Sequence, residues 1–247
     1  RPAVYVVATP IGNPGDVTLR ALEVLRHVDA LYAEDTHITL QLLGQLGVPL
    51  AGRPLAKCHE WNEEHAAASL VGHLRRGRCV ALVSDAGTPL ISDPGFRVLR
   101  HVRQELGEDF PVRPVPGACA AVAALSVAGV STGRYLFAGF PSRKRLQKQA
   151  QLRELLQQAR QGSPPATLVL YEAPHRLLST LEAIAEALSS DAPGAGRRVA
   201  LCRELTKRYE TVLRGEAEDV LRRVREDPNQ QRGEFVLLVE GGRHAAG

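Results

Sequence analysis

Val80-Ala-Leu-Val-Ser-Asp-Ala-Gly-Thr-Pro-Leu-Ile-Ser-Asp-Pro-Gly95 says more about the architecture of this chain than any other stretch. The apolar run Val80 to Val83 reads as a strand buried on both faces, as parallel strands are. It stops at Ser84-Asp85. Ala86-Gly87-Thr88-Pro89 then turns the chain, and Ser92-Asp93-Pro94-Gly95 turns it again into Phe96 to Val102, which has helical spacing. Asp93 suits an N-cap and Pro94 the first helical position. A loop with two Gly, two Pro and two Asp thus follows an inner strand. That is where open α/β sheets bind ligands. One loop does not need two capping carboxylates, so Asp85 and the run Ser84 to Pro89 point to a ligand.

The pattern repeats on either side. Val4 to Ala8 is an apolar strand, Thr9 to Asp16 a turn-rich loop with Asp16 as the expected N-cap, and Thr18 to Arg26 a helix. Ala30 to Ala33 is a strand ending in Glu34-Asp35-Thr36, and Ile38 to Leu46 a helix closed by Gly47. Pro54 to Lys57, the helix Glu63 to Arg76 and the strand Val112 to Val115 continue the alternation. It means βα units and a mainly parallel sheet. One rim of that sheet gathers Asn13, Asp16, Glu34, Asp35, Asp85 and Thr88. Pro116-Gly117 marks a break, so the expected domains are 1–117 and 118–247. Ala118 to Val127 reads as a small-residue helix packed on both sides. Strands at 135–140, 167–171, 199–202, 210–213 and 235–239 follow, with helices at 146–161, 177–188 and 217–224. Asp191 to Gly196 reads as a loop and Arg243 to Gly247 as a tail. Two neighbouring strands without a helix between them, Val199 to Cys202 and Glu210 to Leu213, predict a hairpin and a mixed second sheet.

At 247 residues and 44% hydrophobic, the chain suits one large or two smaller α/β domains. No apolar run approaches the roughly 20 residues of a membrane span, and no signal-peptide pattern precedes Val4. Cys58, Cys79, Cys119 and Cys202 are widely spaced and form no CxxC. We therefore expect a reduced, cytoplasmic protein. Cys58, His59, His65 and His73 lack zinc-site spacing, and no metal is expected. Met is absent, the initiator included, so the native N-terminus is expected to lie upstream. Net charge is +4, and the excess is local. Ser142 to Arg160 carries Arg143, Lys144, Arg145, Lys148, Arg153 and Arg160 against Glu154 alone. Such a patch on a near-neutral body suits a polyanion, although most charge runs are solvated helix faces.

No GxGxxG follows the first strand, and GxxxxGK[ST] and HExxH are absent. Dinucleotide and P-loop triphosphate chemistry are disfavoured. A rim of carboxylates, Thr, Gly and Pro suits a ligand with hydroxyls, an amine or a sulfonium. S-adenosyl-L-methionine fits that description.

Thr9-Pro-Ile-Gly-Asn13, Gly15-Asp-Val-Thr18, Ala33-Glu-Asp-Thr36, His59 with Asn62-Glu63, Ala81 to Gly95 and Pro116-Gly117 form one ordered set. Gly139-Phe140, Tyr171-Glu172 with His175-Arg176, Arg203-Glu-Leu-Thr-Lys207 with Glu210, and Gly233-Glu234 extend it. Together they resemble the tetrapyrrole methylase superfamily over nearly the whole chain. Within it, the match is to the branch that methylates the ribose 2′-OH of a cytidine in 16S rRNA of the small ribosomal subunit. His37, Pro116-Gly-Ala-Cys119 and Pro141-Ser-Arg-Lys144 depart from the usual pattern, which bears on fine substrate contacts more than on the reaction.

The resemblance implies two α/β domains with a ligand cleft between them, and a homodimer. It implies that Ser84, Asp85, Ala86, Gly87, Thr88, Pro89 and Ile91 line the methyl-donor pocket. Ala120, Ala121, Tyr171, Leu201 and Val236 would close it from the second domain, or are plain core. Proton acceptors for the hydroxyl would come from Glu34, Asp35, Glu172 and Glu204, each equally suited to a cap or an ion pair. Lys207 and Arg203 would stabilise an alkoxide or hold phosphate. Arg143, Lys144 and Arg145 would grip the RNA backbone. Trp61 reads as a base-stacking residue or as partly buried packing. Two other readings stand beside this one: a C-methyltransferase acting on a tetrapyrrole, also anionic, and a non-catalytic RNA-binding protein on the same scaffold. The basic segment favours RNA over the tetrapyrrole.

Overall fold

The computed structural model describes residues 1–59, 61–93, 95–189 and 197–242. Pro94, the loop Asp191 to Gly196 and the tail Arg243 to Gly247 lie outside the described residues. The chain forms two compact units, Arg1–Cys119 and Ala120–Gly247.

In the first unit, strands β1 (Val4–Val7), β2 (Ala30–Ala33), β3 (Leu55–Lys57), β4 (Val80–Val83) and β5 (Val112–Val115) alternate with four helices. These are α1 (Leu19–His27), α2 (Thr36–Gln45), α3 (Glu63–Arg75) and α4 (Phe96–Leu106). The sheet order is β3-β2-β4-β1-β5. Every pairing is parallel, with Val7 opposite both Val83 and Val115, and Ala33 opposite Val83. All strand ends therefore emerge on one rim.

Period-two alternation divides the side chains between the two faces. Leu31, Ala33, Ala81 and Val83 pack on Ala21, Leu25 and Leu43 of α1 and α2. Ala30, Tyr32, Val80 and Leu82 pack on Leu70, Leu74, Val98 and Val102 of α3 and α4. A sheet covered on both faces explains why its strands are apolar throughout. The buried Tyr32 hydroxyl is satisfied by Ser69 Oγ at 2.8 Å.

Two capping expectations are corrected. Asp16 ends a short 3-10 turn, Pro14–Asp16, that Asn13 caps. Helix α1 is capped by Thr18, whose hydroxyl accepts the Ala21 N–H at 3.1 Å. Asp93 does not cap α4. Gly95 does, at φ 122°, and its N–H donates to the buried carboxylate of Glu63 at the start of α3. The cap comes from another helix because α3 and α4 lie side by side on one face of the sheet. Glu63 also lies 3.8 Å from the Arg97 guanidinium.

The second unit holds α5 (Ala120–Val127), β6 (Tyr135–Gly139), α6 (Arg145–Gln161), β7 (Thr167–Glu172), α7 (Leu177–Ser189), β8 (Val199–Arg203), β9 (Thr211–Gly215), α8 (Ala217–Glu226) and β10 (Phe235–Val239). The order is β6-β7-β10-β8-β9. β6–β7 is parallel and the remaining pairs antiparallel, which makes the expected mixed sheet with a β8–β9 hairpin. Leu168, Leu170, Leu201 and Leu237 pack on Leu152, Leu156, Leu181, Ile184 and Val220 of α6, α7 and α8. Helix α5 packs against β7 and β10. It buries only one side, with Ala121, Ala124 and Leu125 inward and Val122 54% exposed. The expectation of packing on both sides is therefore corrected.

Candidate functional site

The site grows from the loop after β4. Ser84 is buried, with its hydroxyl 3.3 Å from the Ala86 carbonyl and 3.2 Å from that of Gly87. Thr9 follows β1. Its N–H donates to Gly87 O at 2.8 Å, and the Gly87 N–H returns a bond to Thr9 O at 3.1 Å. The Thr9 hydroxyl adds a bond to Ser84 O at 3.2 Å. Thr88 Oγ1 donates to Ala118 O, after β5, at 2.9 Å. The loop is thus tied to the segments that follow β1 and β5. Gly87 has φ +81°, and a Cβ there would stand 3.2 Å from the Ile11 side chain. Leu90 and Ser92 also hold positive φ, at 75° and 68°. Two such non-glycine residues within three positions mark a strained loop, which is common at ligand sites.

The structure brings Glu34, Asp35, Asp85 and Asp93 together on this rim. Asp85 Oδ1 accepts the Asp35 N–H at 2.9 Å. Asp35 in turn caps α2, accepting the His37 N–H at 2.7 Å, which holds its carboxyl below the usual range. The other three move upward. Burial raises Glu34, and Asp85, Asp93 and Asp35 add to it. Burial raises Asp85 against the opposing Asp35 N–H. Burial pushes Asp93 up to about 6, opposed by a Ser84 hydrogen bond and aided by Asp85. Three carboxylates whose charged forms are disfavoured make a rim that a cation would relieve. The ammonium and sulfonium of S-adenosyl-L-methionine carry such charge, and its ribose offers hydroxyl donors, so the residues present fit that group. Among the described residues, no cluster of His, Cys, Asp and Glu could hold a metal ion.

The second unit gathers polar residues where β7 and β8 end and β10 begins. Glu172, on β7, is buried with Oε1 2.9 Å from the Ala173 N–H and 3.2 Å from Arg176 Nε. Its Oε2 accepts from Thr180 Oγ1 at 2.5 Å. Glu204 and Lys207 pair with each other at 2.9 Å, and Lys207 also reaches Glu234 at 2.7 Å. Burial would raise Glu204, but the Glu234 N–H and Lys207 outweigh it and its pKa falls. Burial would lower Lys207, but Glu234 and Glu204 outweigh it and its pKa rises. Glu204 and Thr206 both hold positive φ. Gly233 holds φ +99°, and a Cβ there would fall 2.5 Å from the Glu204 carboxylate, so a substitution would strain the backbone and displace Glu204.

Several expectations are corrected by burial. Arg203 is 8% exposed. Its guanidinium donates to Arg232 O at 2.6 Å and Tyr209 O at 2.8 Å, so it braces the loops beside β8 and has no face for phosphate. Lys148 is also internal, donating to Ser179 Oγ at 2.6 Å and Thr180 Oγ1 at 3.1 Å. Its place was legible: Lys148, Leu152, Leu156 and Ala159 share one helical stripe, and all are buried. Arg153 pairs with Glu186 at 2.7 Å. Burial thus takes Lys148 out of the basic segment; Arg153 and Arg160 stay exposed on α6, and Arg143, Lys144 and Arg145 form its run of successive exposed cations. Leu201 lies in the core under α6, α7 and α8.

Tyr171 and Val236 are cross-strand partners one position out of phase with that core. The Tyr171 hydroxyl accepts the Ala121 N–H of α5 at 3.2 Å, and its ring meets Phe137 and Phe140 edge-on. Ala120 opens α5 beside it. Trp61 is 89% exposed, which removes the packing reading. Thr9 and Glu63 stand in the quoted motifs, but their roles as latch and cap depend on partners 78 and 32 residues away.

The family model of tetrapyrrole (corrin/porphyrin) methylases matches residues 3–221. A Pseudomonas aeruginosa protein named ribosomal RNA small subunit methyltransferase I is 45% identical over 238 residues, 96% of this chain and 78% of that one. The fold is shared with uroporphyrin-III C-methyltransferase from Thermus thermophilus, at TM-score 0.62 and 25% identity, covering 98% of this chain and 95% of that one. A second Thermus thermophilus structure, of uroporphyrin-III C-methyltransferase complexed with S-adenosyl homocysteine, matches at TM-score 0.59 and 18% identity over 96% and 97% of the two chains.

Proposed function

The chain belongs to the tetrapyrrole methylase family and is an S-adenosyl-L-methionine-dependent methyltransferase, and we propose that it methylates the ribose 2′-OH of a cytidine in 16S rRNA of the small ribosomal subunit. The observation that carries the RNA reading over the tetrapyrrole is the exposed run Arg143-Lys144-Arg145. Three successive cations at the start of a helix with no acid in its first turn suit a phosphate backbone. They also sit at the helix end where cations are disfavoured without an anion. Relatives named for small-subunit rRNA at 40–45% identity support the same substrate.

In this reading Ser84, Asp85, Ala86, Gly87, Thr88, Pro89 and Ile91 hold the methyl donor, which supplies an electrophilic methyl group on a sulfonium. The latch between Thr9 and Gly87 fixes the loop backbone before binding. That matters because displacement at a methyl group depends on alignment, which is worth on the order of 7–11 kcal/mol in model reactions. Glu34 is the best-suited proton acceptor for the 2′-OH. Burial and its neighbours raise it toward neutrality, where general bases work best. Asp35 is occupied as a cap. Glu172 and Glu204 are held by cations. Arg143, Lys144 and Arg145 take RNA phosphates. The target nucleotide is unstacked, so that its hydroxyl can be reached. We further propose a cytoplasmic homodimer. No helix among the described residues is long and apolar enough to cross a membrane.

The test is methyl incorporation from labelled S-adenosyl-L-methionine into small ribosomal subunits, with mapping of the modified nucleotide, beside uroporphyrinogen. A 2′-O-methylcytidine in 16S rRNA is the expected product. Incorporation into the tetrapyrrole alone would reverse the assignment, and donor-independent RNA binding without transfer would favour a binding protein.

A further inference from the structure

We propose that Arg176 is a positioning residue for RNA capture, setting the backbone that presents Arg143, Lys144 and Arg145. This rests on reading that triplet as the phosphate contact. Arg176 closes a short 3-10 turn, Pro174–Arg176, after β7. Its side chain is 13% exposed, and Glu172 beside it is fully buried. The guanidinium faces two ways. Nε meets Glu172 at 3.2 Å, while Nη2 donates to Pro141 O and, at 3.1 Å, to Ser142 O.

Glu172 is itself held from behind. The Thr180 hydroxyl donates to it at 2.5 Å and accepts from Lys148 Nζ at 3.1 Å. Lys148, Thr180, Glu172 and Arg176 form one buried chain from α6 through α7 and β7 to the two carbonyls just before the triplet. From the other side Gln151 Oε1 accepts the Ser142 N–H at 2.8 Å. The Ser142 hydroxyl then accepts the Lys144 N–H at 3.3 Å.

A buried ionic chain is a weak way to hold a fold, because desolvation offsets its attraction and apolar packing often does as well. Apolar packing cannot bind two carbonyls of a turn. The planar fork of arginine reaches a carboxylate and the turn together, and a lysine ammonium does not. The result is an ordered backbone under three long, mobile cations, which reduces what must be ordered when RNA binds.

Arg176→Lys keeps a positive charge against Glu172 and removes the fork. Gln151→Leu releases the other side of the turn without touching the buried pair. Each is assayed with small ribosomal subunits that lack the methyl group and with S-adenosyl-L-methionine. Arg176→Lys should raise KM for subunits on the order of tenfold and flatten the salt dependence by about 0.7–0.9 in slope for each phosphate no longer neutralised. kcat and KM for the donor should stay as in the wild type. Gln151→Leu should move KM in the same direction by less. A folded Arg176→Lys protein with unchanged KM for subunits overturns the inference. If that variant does not fold, unchanged KM in Gln151→Leu overturns it equally. The triple variant Arg143→Ala, Lys144→Ala, Arg145→Ala separates the two levels. If it leaves KM and salt dependence unchanged, the RNA reading of the loop fails and the inference with it. If it raises KM while the other two variants do not, only the inference fails.

Discussion

Replacing Asp93 by Asn should stabilise the ligand-free protein at neutral pH. Asp93 is half-buried on the carboxylate rim, and its pKa rises from 3.8 to about 6, chiefly through burial, with Asp85 adding to it. The folded protein therefore binds this proton more tightly than the unfolded chain does. Between those two values ∂ΔG/∂pH is negative, so the wild type loses stability as pH climbs through the window and keeps the full penalty above it. At about 1.4 kcal/mol per unit, the shift sets a ceiling of about 3 kcal/mol, and solvent screening of the exposed part of Asp93 brings the expected difference to roughly half of that. Asn cannot ionise, and it keeps a side-chain acceptor for Ser84. Urea unfolding of both proteins across the range gives the readout. The stability difference between variant and wild type should grow from about pH 4 to about pH 7 and then level off, with the variant the more stable. Groups away from the rim cancel in that difference, while Glu34, which the Asp93 charge raises, adds to it in the same direction. A pH-independent difference would refute the reasoning, as would a variant less stable than the wild type at neutral pH. S-adenosyl-L-methionine should recover part of the wild-type penalty by supplying positive charge.

Asp85→Ala should weaken donor binding on the order of tenfold or more by calorimetric titration, since it removes one rim carboxylate and the partner of the Asp35 N–H, a charged hydrogen bond of about 1.5–3 kcal/mol. Glu34→Gln should lower kcat by about 10²–10⁴ with little change in donor affinity if Glu34 is the base, and single-turnover methyl transfer measures it. Gly87→Ala should cost at least about 1–2 kcal/mol, because φ +81° lies in the left-handed region and the new methyl meets Ile11. Chemical denaturation checks it. Arg203→Met should lower the melting temperature and leave the salt slope of subunit binding unchanged, the reverse of what a phosphate contact would do.

The tetrapyrrole methylase architecture brings the useful residues of the first unit together by simple geometry. Parallel strands end on one rim, so Thr9, Glu34, Asp35, Ser84 and Asp85 meet although they come from three separate strands. The same rule explains why the strained residues Leu90 and Ser92 lie on that rim and not within the sheet. The second unit uses antiparallel pairing to bring Glu172, Arg203 and Glu234 to one end, because β10 runs against both β7 and β8.

The alternation of strands and helices, the all-apolar parallel strands, the hairpin of the second sheet and the loop from Ser84 to Pro89 were all legible in the residues alone. These follow from short-range rules: a period of two or 3.6, and Gly, Pro and Asp at turns. The partners of the polar side chains emerged only with the folded chain. Glu63 caps a helix 32 residues away. Asp93, which local spacing reads as a cap, becomes a half-buried acid. Arg203 looks like a surface cation in a polar run, yet its donors go to backbone carbonyls of two other loops. Leu201 and Val236 look alike as strand residues, and only register places the first under the helices while leaving the second out of phase with them. The physical reason is common to all of these. Hydrogen bonds and burial depend on which distant segment lies opposite, and local periodicity carries no information about that segment.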